Sequence, residues 1–74
     1  MTKYYYQTTD EETIRLLGTG KKVPNRPGYY EITKAQYDAY MATLASIEPR
    51  EGFHKIVTLY IDGSYTVNYI PIEE

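Results

Sequence analysis

Between Thr33 and Pro49 the hydrophobic positions follow a helical period. Tyr37, Tyr40, Met41, Leu44 and Ile47 fall at i, i+3, i+4, i+7 and i+10, backed by Ala35, Ala39, Ala42 and Ala45. That spacing is one apolar stripe on a helix of about four turns. Thr33 and Gln36 stand three apart at its start and form a capping-box pattern, while Pro49 removes a donor and stops it. A helix is therefore predicted over 34–47.

The flanks alternate with a period of two. Lys3 to Thr8 is rich in Tyr and Thr and reads as a strand, with Tyr4 and Tyr6 on one face and Tyr5 on the other; Tyr29 to Ile32 reads as a shorter one. At the C-terminus two such runs surround Asp62-Gly63. A two-residue loop would put Ile56, Tyr60, Tyr65, Val67 and Tyr69 together but leave Val57, Leu59, Ile61 and Ile70 on the face with Ser64, Thr66 and Asn68. A three-residue loop with Gly63 left-handed pairs Tyr60 with Ser64, and collects Val57, Leu59, Tyr65, Val67 and Tyr69 on one face. Because a slip of one residue turns every side chain over, the cleaner segregation selects the three-residue loop. Thr9 to Leu17 stays open: Thr9-x-x-Glu12 fits a helix cap, and Thr13 to Leu17 fits a returning strand. Gly18 to Gly28, with three Gly and two Pro, has the composition of a loop. The expected architecture is α+β, a small antiparallel β-sheet from the two termini packed against one main α-helix at about 34–47, with a C-terminal β-hairpin at about 54–70. Glu73 and Glu74 are expected to fray.

Size supports one domain over residues 1–74. A chain of this mass folds to roughly 4,700 Å² of surface from about 12,500 Å² unfolded. The charged and apolar fractions, 24% and 42%, are those of a globular chain. With no Cys there is neither a disulfide framework nor a thiolate metal site, and the single His gives a metal centre or a triad little to build on. No apolar run is long enough to span a membrane. Met1-Thr2-Lys3-Tyr4 offers no signal-peptide core, so a cytoplasmic protein is expected. The distinctive feature is ten tyrosines. So short a chain cannot bury ten rings and satisfy every hydroxyl, so some rings must lie at the surface, where Tyr favours interfaces.

Candidate chemistry is sparse. His54 beside Phe53 stands in no recognisable catalytic motif, and Glu48 and Glu51 fit a solvated turn around Pro49-Arg50. Gly18-x-Gly20-Lys21 lacks the remaining residues of a phosphate loop. No enzyme and no cofactor is expected. Lys21, Lys22 and Arg26 beside Tyr29 and Tyr30 have the makings of a single-strand nucleic-acid site, against which stands the net charge of −2. In the chosen register Ile56 and Tyr60 point away from the helix among Thr58, Ser64, Thr66 and Asn68. An apolar pair inside a polar rim suits a protein partner or a homodimer.

The stretch Tyr30-Glu31-Ile32-Thr33-Lys34-x-x-Tyr37-Asp38-Ala39, together with Tyr4-Tyr5-Tyr6, the Gly/Pro connector and the Asp-Gly hairpin, resembles small accessory proteins encoded by bacteriophages and prophages. The resemblance implies a second strand after the first, and favours a hairpin at 9–17. It also implies a non-enzymatic module that acts by occupying another protein's surface in the host cytoplasm, for example by inhibiting a host defence protein. Alternatives are a tail or assembly accessory, or a single-strand nucleic-acid module using Lys21 to Tyr30. The residues expected to meet a partner are Ile56, Tyr60, Lys21, Lys22, Arg26 and Tyr29.

Overall fold

One short stretch of chain serves two sheets. In a computed structural model, which describes residues 1–73, this stretch is β2 (Thr13–Ile14) and β3 (Leu16–Gly20) on either side of Arg15. β3 pairs antiparallel with β1 (Lys3–Gln7), whose other edge pairs with β4 (Tyr29–Ile32). β2 pairs instead with β5 (Phe53–Tyr60), which pairs with β6 (Tyr65–Pro71). The helix, α1 (Lys34–Ser46), completes an α+β fold. The strands thus divide between two three-stranded sheets where the sequence pattern suggested one. The switch occurs where the Arg15 N–H donates to the Gln7 carbonyl at 2.7 Å and carries the chain from β5 across to β1.

The open choice at Thr9 to Leu17 resolves as strand. Asp10 gathers the donors that a helix cap would have used. Its carboxylate accepts from the Thr8 hydroxyl at 3.1 Å, the Glu12 N–H at 2.9 Å, and the Thr13 N–H and hydroxyl at 2.8 Å. These bonds close the turn into β2 and hold the Asp10 carboxyl well below the usual carboxylate range. A correction falls at Gly18 to Gly20, which lie in β3 and not in a loop. The ring of Tyr5 lies across Gly18, where a Cβ would come within 2.5 Å of it. Glycine here makes room for a cross-strand ring.

The helix follows its stripe. The Gln36 N–H donates to the Thr33 hydroxyl at 3.1 Å, and the Thr33 N–H donates to Gln36 Oε1 at 2.9 Å, completing the capping box. Ile47 caps the C-terminal end and is buried. Tyr37 meets Tyr4 of the first sheet with ring centroids 5.1 Å apart, and the Tyr40 hydroxyl donates to the Ile61 carbonyl in the hairpin turn. One helix therefore touches both sheets.

The hairpin has the register that segregation selected. The Tyr60 N–H donates to the Ser64 carbonyl at 2.8 Å, Gly63 has φ of +92°, and Val57 and Leu59 face Val67 and Tyr65. Leu59, at 4% exposed, is the most buried apolar side chain among the described residues. The molecule is elongated, 44 × 22 × 22 Å, with a radius of gyration of 14.1 Å, against about 11 Å for a compact chain of this length. Its surface of 5736 Å² exceeds the compact expectation by about 1,000 Å². Glu73 is exposed, and Glu74 lies outside the described residues.

Candidate functional site

Two places on the molecule are open. The first is a cleft of about 390 Å³ between α1 and strands of both sheets, lined by Ile14, Arg15, Leu16, Leu17, Met41, Leu44, Val57 and Leu59. Sequence periodicity placed Met41, Leu44, Val57 and Leu59 on apolar faces, and Ile14, Leu16 and Leu17 join them from the segment it left open. Together they line the cleft without closing it, and Met41 is left 42% exposed. The second place is the hairpin's outer face and edge. Ile56 and Ile70 are each nearly half exposed there and lie diagonally across the ladder, since Ile56 pairs with Asn68. His54, Ser64, Thr66 and Asn68 surround them, all exposed.

The expected pair of Ile56 and Tyr60 is only partly as foreseen. Ile56 stands in solvent, whereas Tyr60 is half-buried because β2 comes alongside it and Thr13 sits opposite. The exposed aliphatic companion of Ile56 is Ile70, on the neighbouring strand. It could have been found by extending the chosen register two residues further.

The basic residues sit elsewhere. Lys21, Lys22 and Arg26 are exposed in the connection from β3 to β4. β3 and β4 are opposite edges of the first sheet, so this connection crosses from Gly20, paired with Lys3, to Tyr29, paired with Gln7. Lys21 and Lys22 lie at one end of that crossing and Arg26 at the other. Tyr29 is half-buried against Tyr5, centroids 5.8 Å apart, on the sheet face opposite Tyr4 and Tyr6. The basic loop and the Ile56 face therefore belong to different sheets.

Titratable groups are tied to structure. Burial pushes the Tyr40 phenol up, with Tyr6 and Asp62 adding to it. Burial likewise raises Tyr6, helped by Tyr30 and Glu11. Asp62 is lowered by the Ser64 hydroxyl and N–H that it accepts in the turn. His54, Glu48 and Glu51 are exposed, and the Glu48 carbonyl accepts from the Tyr69 hydroxyl at 2.8 Å. Among the described residues no group of His, Asp or Glu is placed to hold a metal ion, and no helix is long and apolar enough to cross a membrane. No protein-family model, no curated protein and no solved structure matches the chain.

Proposed function

We propose that this chain is a binding module that works by covering part of another protein's surface, without catalysis. The observation that supports this reading is the hairpin's outer face, where Ile56 and Ile70 stand half exposed inside a ring of small polar side chains. Interfaces of this kind draw affinity from a few desolvated apolar anchors and selectivity from the polar rim. The phage resemblance carried by Tyr30 to Ala39 adds a setting, the host cytoplasm, and a partner class, a host protein whose activity is blocked by being covered. The exposed Lys21, Lys22 and Arg26 would act at the margin of such a contact or steer an acidic partner toward it, which chiefly raises association rate.

The test is capture from host lysate by the tagged chain, with bound proteins identified by mass spectrometry and washes of rising salt. A protein that survives high salt and is lost with Ile56→Thr supports the reading. Binding of oligonucleotides that weakens steeply with salt, and vanishes when Lys21, Lys22 and Arg26 are all changed to Ala, would overturn it in favour of single-strand nucleic-acid binding.

A further inference from the structure

β6 is an edge strand whose outer side is unguarded from Tyr65 to Ile70, before Pro71 closes its end. Its even-numbered residues face β5, as shown at the two ends by Tyr60 N–H to Ser64 O and Ile72 N–H to Gly52 O. The N–H and C=O groups of Tyr65, Val67 and Tyr69 therefore point outward, where no strand lies among the described residues. Proteins blunt such edges with charge, proline or short length. The other edges here are blunted. β4 has four residues and carries Glu31. β3 holds two glycines and runs into Lys21-Lys22. The stretch of β5 not covered by β2 carries Lys55, whose ammonium is bound to the Ile47 carbonyl at 2.9 Å. By contrast, no charged residue occurs from Gly63 through Ile72.

We propose that β6 pairs antiparallel with β6 of a second copy about a two-fold axis at Val67, joining the two hairpin sheets into one six-stranded sheet. This proposal is independent of the heterologous partner proposed above. Three observations select a copy of this chain and this register. An isologous contact sets a segment against itself, and an uncharged segment meets no like-charge repulsion there. With the axis at Val67, Tyr65 lies opposite Tyr69 of the second copy, and each outward N–H of both strands meets a carbonyl. Moving the axis one residue toward the C-terminus sets Tyr65 against Pro71, which has no N–H; moving it the other way sets Tyr69 against Gly63 in the turn. Finally, the edge carries apolar surface open to be covered by the pairing. Tyr65, Ile70 and Ile72, all nearly half exposed, lie on or just beyond this strand.

In this register Thr66 lies opposite Asn68 of the second copy, on the outer face, and both are exposed. The test is sedimentation of the full chain and two double variants. The wild type should sediment at twice 8.6 kDa. Thr66→Lys with Asn68→Lys places lysine against lysine across the axis and should give the monomer. Thr66→Lys with Asn68→Glu places opposite charges there and should restore the dimer. A wild type that remains monomeric at millimolar concentration overturns the proposal, as does a dimer indifferent to the paired lysines. Restoration failing in the Lys/Glu variant overturns the Val67 axis. Should the Lys/Lys variant fail to fold, amide exchange of the wild type decides. The Tyr65, Val67 and Tyr69 N–H groups should be protected increasingly with concentration, and exchange as fast in concentrated as in dilute samples would refute the pairing.

Discussion

In the sheet of β3, β1 and β4 the packing is done by rings: Tyr4 on Tyr37, Tyr5 beside Tyr29 and Tyr6 beside Tyr30, at 5.1–5.8 Å. In the sheet of β2, β5 and β6 it is done by Ile14, Val57, Leu59 and Val67. Rings with hydroxyls tolerate partial wetting, and Tyr30 reaches Glu11 while half in solvent. Aliphatic side chains have no such outlet. Their sheet accordingly holds the most buried apolar side chain among the described residues, Leu59, and also one wall of the open cleft and the bare edge. The difference teaches that rings can finish a thin layer while half wet, whereas an aliphatic layer this small leaves apolar surface exposed.

The largest effect expected from breaking this contrast is at Leu59. Leu59→Ala should cost about 2–5 kcal/mol, read as the shift in urea midpoint, while Leu44→Ala, facing the open cleft, should cost less. Equal losses would mean the cleft is closed in solution. Next come two glycines that share a positive φ but not their surroundings. At Gly28 a Cβ would stand 2.5 Å from the Thr8 carbonyl oxygen, whereas at Gly63 it would meet nothing. Both variants should carry the backbone strain of about 1–2 kcal/mol, to which Gly28→Ala adds a steric cost and Gly63→Ala adds none. Thermal melts of the two variants compare them directly.

A third prediction separates the two residues of the outer face. Tyr60→Thr should lower the melting temperature, because the ring is half-buried beside β2. Ile56→Thr should stay within about 0.5 kcal/mol of wild type, as exposed substitutions do. A fourth concerns acid. The folded-state pKa of Asp10 is depressed, so its contribution is fully present above the ordinary Asp range near 4 and is lost as pH falls below it. Asp10→Ala should melt earlier than wild type at pH 7, and the gap should narrow below about pH 4. A gap constant with pH would mean the carboxylate's bonds in the turn do not persist. The smallest effect is at Asp38, paired with Lys34 at 2.7 Å with both side chains more than half exposed. Asp38→Ala should leave the melting temperature nearly unchanged at physiological salt.

Much of this molecule could be read from residue patterns with local causes. The capping box at Thr33 and Gln36 and the stripe from Tyr37 to Ile47 depend on neighbours a turn away. The Tyr60–Ser64 register follows from faces that only one loop length segregates. What escaped depends on contacts distant in sequence. Gly18 looks like loop until the ring of Tyr5 is laid over it. Thr13 to Leu17 can be helix or strand until Tyr60 and Leu59 are laid beside Thr13 and Ile14, and β1 beside Leu16 and Leu17. Ile56 and Tyr60 looked alike because nothing in their own strand reveals that β2 arrives beside Tyr60 alone. The bare edge of β6 escaped for the same reason, since alternation within a strand does not say which strand stands outermost.

The change of sheet at Arg15 has a consequence for how the chain assembles. The hairpin joins residues close in sequence and can form on its own in about 1–10 μs. Closing β2 onto β5 brings Thr13 to Tyr60, and so must wait for most of the intervening chain to be gathered in. Only two residues make that junction. It is the last stitch: when Thr13 and Ile14 let go, both ladders stay zipped, and the hairpin is held through the helix and the turn after it, by the Tyr40 hydroxyl on the Ile61 carbonyl and the Lys55 ammonium on the Ile47 carbonyl.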